Sequence, residues 1–247
     1  MVKKNIILTG ALSGIGRALV DELDCEENHL ILIGRSPEKL AELRRQVKTT
    51  ISTVAVDLTD LDKLAELLLQ LPDRIDGFVH AAGIESVEPI KMVNYTKFDK
   101  IMRLHLYAFI EILKSIEKNK KKTDEYYTSV VVLSSIASDN GGVGQTMYAA
   151  SKAALEATVR VLSKEMASKR IRINAVKPGI VDTDMTRRWM RRIGIADIAE
   201  VEKLQLNGVA QPEEVASLIV FLLSNQARHI VGTQIKIDGG GSSGKVF

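Results

Sequence analysis

Asn5-Ile6-Ile7-Leu8-Thr9-Gly10-Ala11-Leu12-Ser13-Gly14-Ile15-Gly16 reads as a short apolar strand, a glycine turn and the opening of a helix. Glycine permits dihedrals closed to other residues and lets a ligand approach the main chain. The helix start then offers unpaired N–H groups and a favourable dipole to an anion. The remainder of the chain repeats the strand–helix alternation. Apolar runs at residues 5–9, 30–34, 52–57, 77–81, 129–134, 172–177 and 234–238 are short and rich in Val, Ile and Leu, the pattern of strands buried on both faces of a parallel sheet. Helix-like segments at 15–24, 37–47, 60–70, 95–118, 147–168 and 212–224 lie between them. The expectation is an α/β fold: one doubly wound Rossmann-type domain over residues 1–247, with a mostly seven-stranded parallel sheet flanked by helices.

The 247 residues, 45% hydrophobic, are ample for one large core, and the net charge of +3 is too small to mark a nucleic-acid binder. A single cysteine, Cys25, excludes an intrachain disulfide and points to a reducing compartment. The N-terminal apolar run is too short for a signal sequence, and no stretch is long enough for a membrane span. A cytoplasmic location, no membrane, no nucleic acid and no metal are therefore expected. Residues 118–126 read as a polar exposed connection, residues 239–244 as a flexible tail, and residues 185–208 as a substrate lid. Between Ile101 and Ile116, apolar residues at 101, 102, 104, 106–110, 112, 113 and 116 exceed one helical stripe. That breadth predicts burial against a neighbouring subunit.

Tyr148 and Lys152 stand one helical turn apart, with Ser135 thirteen residues before the tyrosine. An ammonium beside a phenol favours the phenolate, so Tyr148 can serve as general acid or base, while Ser135 orients a carbonyl oxygen. Tyr-x-x-x-Lys alone is a frequent surface pair; the upstream serine and glycine turn give it chemical meaning. In NAD sites an acidic residue roughly 20 positions beyond the glycines holds the ribose 2′-hydroxyl. Gly34-Arg35-Ser36 stands there instead. Arg35 can fork onto a 2′-phosphate and Ser36 can add a donor, which favours NADP(H) over NAD(H). The plainer reading of Arg35 is a solvated loop charge.

Thr-Gly-x-x-x-Gly-x-Gly, Val132-Leu133-Ser134-Ser135, Tyr148-Ala149-Ala150-Ser151-Lys152 and Asn174-Ala175-Val176-Lys177-Pro178-Gly179 together resemble the short-chain dehydrogenases/reductases. Asp182-Thr183-Asp184-Met185-Thr186 and Gly144-Gln145 bring the chain nearest to 3-oxoacyl carrier-protein reductases. The resemblance implies cofactor contacts from Gly10, Leu12, Ser13, Gly14, Ile15 and Gly16, from Arg35, Ser36, Asp57 and Leu58, and from Ala81, Ala82 and Gly83. It adds Tyr148, Lys152, Pro178 and Gly179, with Ile180 and Thr183 holding the nicotinamide carboxamide. It implies catalysis by Ser135, Tyr148 and Lys152, a homotetramer, and a carbonyl or alcohol substrate. A 3-oxoacyl thioester on acyl carrier protein or coenzyme A leads; a sugar, steroid or other small alcohol is the alternative, and a non-catalytic NADP(H) sensor the second. Two motifs depart from the family. His80-Ala81-Ala82-Gly83 replaces Asn-Asn-Ala-Gly, and His105 stands where a fourth catalytic residue, Asn, is usual. His105 either takes over the asparagine's proton-relay water or is a core histidine that props the helix bend. Arg187, Arg188, Arg191 and Arg192 suit a phosphate or carboxylate partner, or form a solvated face with Lys169, Arg170 and the 118–122 lysines. Trp189 and Met190 line a channel or anchor the lid.

Overall fold

The computed structural model describes residues 3–119, 127–203 and 205–242. Seven strands, β1 (Lys4–Thr9), β2 (Asn28–Gly34), β3 (Thr50–Ala55), β4 (Gly77–His80), β5 (Thr128–Leu133), β6 (Ile171–Pro178) and β7 (Gln234–Ile237), form one parallel sheet ordered β3-β2-β1-β4-β5-β6-β7. Alternation along each strand splits the core in two. Ile7, Ile31, Phe78, Val130, Val132 and Ile173 face α3 (Leu61–Leu68), α5 (Ala108–Asn119) and α7 (Thr146–Glu165). Ile6, Leu8, Leu30, Leu32, Val79 and Val131 face α1 (Gly14–Glu22), α2 (Pro37–Gln46) and α10 (Pro212–Leu223). Each large side chain so buried contributes roughly 1.5–3 kcal/mol.

Helix starts follow local chemistry. Ser36 caps α2 through Lys39 N, with Pro37 at the first helical position. Asn94 caps α4 (Tyr95–Met102) through Lys97 N at 2.9 Å. The predicted single helix over 95–118 is broken: a π-helical turn, Arg103–Tyr107, separates α4 from α5. That turn explains the excess apolar breadth, because an extra residue per turn rotates the apolar stripe. Ile101, Leu106, Phe109, Ile112, Leu113 and Ile116 are all buried within this chain, so their breadth does not call for a neighbouring subunit.

Residues 185–208 hold two helices, α8 (Asp184–Ile193) and α9 (Ala199–Glu202), after the short α6 (Ala137–Asn140). Met190 anchors this region with Val201 and Val209. The tail is more ordered than its glycines suggest: Asp238 accepts from Gly240 N at 3.1 Å and Ser242 N at 2.9 Å. Residues 120–126 of the polar connection, with the lysines at 120–122, and residues 243–244 of the tail lie outside the described residues. Among the described residues, no helix is long and apolar enough to cross a membrane.

Candidate active site

Sheet order reverses beside β1, so the loops after β1 and β4 part and leave a crevice at the carboxyl edge. Gly10 to Ser13 floor it; Gly34, Arg35, Asp57, Leu58, Ala82 and Gly83 form its walls, together with Lys100. Gly10 has φ 78°, and a Cβ there would sit 2.8 Å from the Ala81 backbone. At Gly16 a Cβ would sit 2.0 Å from the Gly10 carbonyl oxygen. These close approaches, not the turn alone, demand glycine. The Ser13 side chain caps nothing, so the first-turn N–H groups of α1 lack a side-chain acceptor. That arrangement fits a pyrophosphate.

Arg35 is exposed at the rim. Ser36 is less available than its sequence position suggests: its hydroxyl donates to Glu38 Oε2 at 3.0 Å and accepts from Lys39 N. Asp57 accepts from Thr59 N at 2.9 Å and Thr59 Oγ1 at 2.8 Å. Burial alone would raise its carboxyl, but these bonds, with Arg35 and Lys100, hold it below the usual range.

At the other end, β5 delivers Ser135 and α7 delivers Tyr148 and Lys152. Ser135 and Tyr148 line the same cleft, and the Ser135 Oγ accepts from Ala137 N at 3.1 Å. Lys152 is buried, donates to the Leu133 carbonyl at 2.7 Å, and lies 5.8 Å from the Tyr148 ring centre. Desolvation pulls Lys152 down to about 8, against the opposing charge of Glu156. Desolvation also raises Tyr148, opposed by Ser135 and aided by Glu85. Lys152 does not bring the phenol down as expected: removing both groups from water penalises both charged forms.

Behind this pair, Glu156 lies one turn beyond Lys152 and accepts from the Ser134 hydroxyl, from Ser138 Oγ at 2.5 Å and from Lys177 Nζ at 2.9 Å. Lys177 also binds Asp139 Oδ1 at 2.7 Å, and Lys236 reaches the other Asp139 oxygen at 3.0 Å. The two serines flank Ser135, so the catalytic segment is stapled to α7 and β6.

The two histidines form a complementary pair. His80 Nδ1 meets Thr9 Oγ1 at 3.0 Å, its Nε2 donates to the Leu104 carbonyl at 3.1 Å, and Thr9 Oγ1 accepts from Ala82 N at 3.1 Å. His80 thus supplies the bracing expected of the family's asparagine. His105 Nε2 accepts from Ile84 N at 3.0 Å, leaving Nδ1–H for Ser151 Oγ at 2.8 Å. Both its ring nitrogens are engaged by protein, which accords with a prop for the π turn and not a water relay. Burial, with Lys152 nearby, takes His80 down to about 3 and His105 well below its ordinary value. Both stay neutral when folded but gain protons when unfolded. Their contribution to stability is complete above about pH 6.5 and is lost as pH falls toward 3. The melting midpoint should therefore drop between about pH 7 and 5, and less steeply in His80→Asn; an unchanged slope in calorimetry would refute this assignment.

On the nicotinamide side, the backbone of Ile180 is engaged within the chain. Its N–H donates to Gln205 Oε1 at 2.8 Å, and its carbonyl accepts from Gln205 Nε2 at 3.1 Å. The Gln205 carboxamide already occupies the backbone groups expected to hold a cofactor carboxamide. Thr183 caps α8 through Thr186 N at 3.3 Å, and its methyl is 3.0 Å from where a Gly14 Cβ would sit. Pro178 closes β6 and Gly179 N donates to the Ile237 carbonyl at 2.9 Å.

A second cleft joins Glu85, Ser135, Gln145, Tyr148, Gly179 and Trp189 beneath α8. Trp189 lines it, whereas Met190 turns into the lid core. The arginine cluster is divided: Arg187 forks onto Asp182 at 3.0 and 2.9 Å, and Arg192 approaches Glu85. Lys169 pairs with Glu117 at 2.8 Å and Arg170 stacks on Tyr127. Sequence reasoning missed Glu85, Glu156, Lys177 and Gln205. Lys177 carried a signal: a charge inside a strand buried on both faces must be paired.

A family model described as enoyl-(acyl carrier protein) reductase matches residues 10–242. A 3-oxoacyl-[acyl-carrier-protein] reductase of Rickettsia felis is 33% identical over 237 residues, 96% of each chain. A solved short chain dehydrogenase/reductase family protein superposes with a TM-score of 0.85 at 27% identity, covering 98% of both chains. A 4-hydroxyisoleucine dehydrogenase complexed with NADH gives 0.86 at 26% identity, covering 98% of this chain and all of that one. Similarity that spans almost the whole chain leads to one conclusion: the chain belongs to the short-chain dehydrogenase/reductase family.

Proposed function

We propose that the protein reduces a carbonyl group to an alcohol, or runs the reverse, with NADP(H), and that 3-oxoacyl thioesters are its leading substrates. The observation that carries the reading is the convergence of Ser135 and Tyr148 on one cleft, with buried Lys152 beside the tyrosine and close to the crevice wall at Gly83. Bound NADPH would supply the hydride. Ser135 would donate to the substrate oxygen and fix its orientation as negative charge develops. Tyr148, held protonated by desolvation, would pass its proton to that oxygen. Lys152 would restore the tyrosine's proton, its own affinity lowered toward the working range. His105 acts in this reading as a prop for the π turn.

The acyl-thioester preference draws on the Rickettsia relative, which is named for that reaction. The other reading, a small polar alcohol or ketone, is favoured by the carboxylate of Glu85 in the substrate cleft. Residues 185–208 would cap the substrate, with Trp189 as the apolar wall. The assembly we propose is a homotetramer, on family resemblance, and the compartment the cytoplasm.

The deciding assay follows NADPH absorbance with a short 3-oxoacyl thioester. Turnover supports the proposal; NADPH binding without turnover of this or any other ketone rejects it in favour of a sensor. Cofactor choice rests on Arg35. Arg35→Leu should raise KM for NADPH about tenfold to hundredfold, the worth of a charge-assisted contact, while leaving NADH nearly unaffected. Equal losses with both cofactors would remove Arg35 as the selector.

A further inference from the structure

The substrate cleft holds one buried charge that accepts no hydrogen bond from the described residues. The Glu85 side chain is 11% exposed, and both carboxylate oxygens are buried with no hydrogen-bond donor among the described residues. Arg192 Nη1 stands 3.3 Å from Oε1, an ion-pair distance without hydrogen-bond geometry, and Arg192 is itself half exposed. Buried carboxylates ordinarily accept several hydrogen bonds, and a bare one is costly to keep.

The other polar side chains of the cleft are each engaged through at least one atom. Asn140 Nδ2 donates to the Ser242 carbonyl at 3.1 Å, and Gln145 Oε1 accepts from Gly142 N at 2.8 Å. The Thr186 hydroxyl donates to the Val181 carbonyl at 2.6 Å. Spare polar capacity remains at Gln145 Nε2 and Asn140 Oδ1, at Ser135 and Tyr148, which face the reacting oxygen in the proposed reaction, and at Glu85, whose oxygens are the ones buried without a hydrogen-bond donor among the described residues. A carboxylate has only acceptors to offer, so its match is a donor.

We propose that Glu85 is a specificity-determining residue whose carboxylate accepts a hydrogen bond from a hydroxyl or ammonium group carried by the carbonyl substrate. This inference rests on the hydride-transfer reading and sharpens its substrate. The donor sits either on the acyl chain of a thioester or on the carbon beside a small ketone. A saturated alkyl group in the same place leaves the carboxylate bare, and a site built to hydrogen-bond rejects such a group strongly.

Matched substrates test it. Wild type with NADPH should favour hydroxyacetone and aminoacetone over butanone by about tenfold to hundredfold in kcat/KM. In the thioester arm, it should favour a terminally hydroxylated acetoacetyl thioester over acetoacetyl itself; which arm shows the preference identifies the source of the donor. Glu85→Leu should bring the ratios close to one. Glu85→Gln should keep the hydroxyl preference and lose the ammonium preference, since its carbonyl still accepts. An alkyl preference in wild type, or ratios unchanged in Glu85→Leu, would overturn the proposal. Trp189, the only tryptophan of the chain, lines this cleft and separates the two readings. If no ketone is reduced, hydride transfer fails, but quenching of Trp189 in the NADP+ complex still decides the role of Glu85. Propylene glycol binding more tightly than sec-butanol in wild type, and not in Glu85→Leu, upholds it; equal binding refutes it.

Discussion

Tyr148→Phe should lower kcat for carbonyl reduction by about a hundredfold to ten-thousandfold, the span that a positioned general acid contributes. The substitution removes one oxygen and leaves the ring in place against His105, whose own ring stands 5.8 Å away edge-on. Phenylalanine cannot donate, and no other acid in the cleft replaces it. Glu85 is the nearest alternative; burial raises its carboxyl, but Arg192, Arg188 and Arg191 act against that rise. NADPH affinity, measured by fluorescence, should change by less than the rate, because the crevice residues around Gly10 and Arg35 are untouched. A variant that kept a tenth or more of wild-type kcat would show that the proton comes from elsewhere.

The second large effect is structural. Lys177→Met should destabilise the fold by about 3–5 kcal/mol, because it leaves the Glu156 carboxylate buried without its cation. The Lys177 side chain is 3% exposed and that of Glu156 5%. Desolvation opposes the lysine's charge, but its bonds to Asp139 and Glu156 prevail and raise its ammonium above the ordinary value. A raised lysine contributes stability that is complete below its unfolded value near 10.5 and is lost as pH climbs through the folded one. Urea titration at neutral pH therefore meets the pair at full strength. The double variant Lys177→Met with Glu156→Leu should recover much of the loss, since replacing both ions by apolar groups is often neutral. A single variant as stable as wild type would mean that Ser134 and Ser138 satisfy Glu156 alone.

The buried strands were legible for a definite reason. β1, β4 and β5 are covered on both faces, so their centres appear as apolar runs, while β6 is buried as well but carries Arg172, Asn174 and Lys177. β3 lies at the sheet edge and is mostly exposed, and its alternating Thr50–Ala55 pattern left its ends indistinct by two residues. Ser135, Tyr148 and Lys152 were legible because one strand and the next long helix carry them at fixed spacing, and the structure brings them together. The π-helical turn was not, since an inserted backbone register has no residue signature beyond a wider apolar stripe. Nor was Gln205: a glutamine in a polar segment ordinarily faces water, and only the folded path of the lid sets its carboxamide against Ile180. Glu85 was hidden in the same way, as a loop charge whose burial depends on α8 lying above it.

The sheet order also governs how the molecule comes into being. The apolar layer that carries Leu8, Leu30 and Leu32 takes in α1 and α2 from the same half, and α10 from the far end, which packs on α1, β5 and β6. Ser217 on α10 even bonds Glu22 at the end of α1, at 2.9 Å. During synthesis the first half emerges with this apolar layer covered only in part, and it stays so until residues 212–223 leave the ribosome. Folding then has to close a loop of nearly the whole chain, the kind of distant contact that slows a parallel sheet. Newly made chains should therefore hold a sticky, partly covered surface for most of their translation. Deletions near the C-terminus should be felt first as aggregation of the N-terminal half, before any defect in the chemistry.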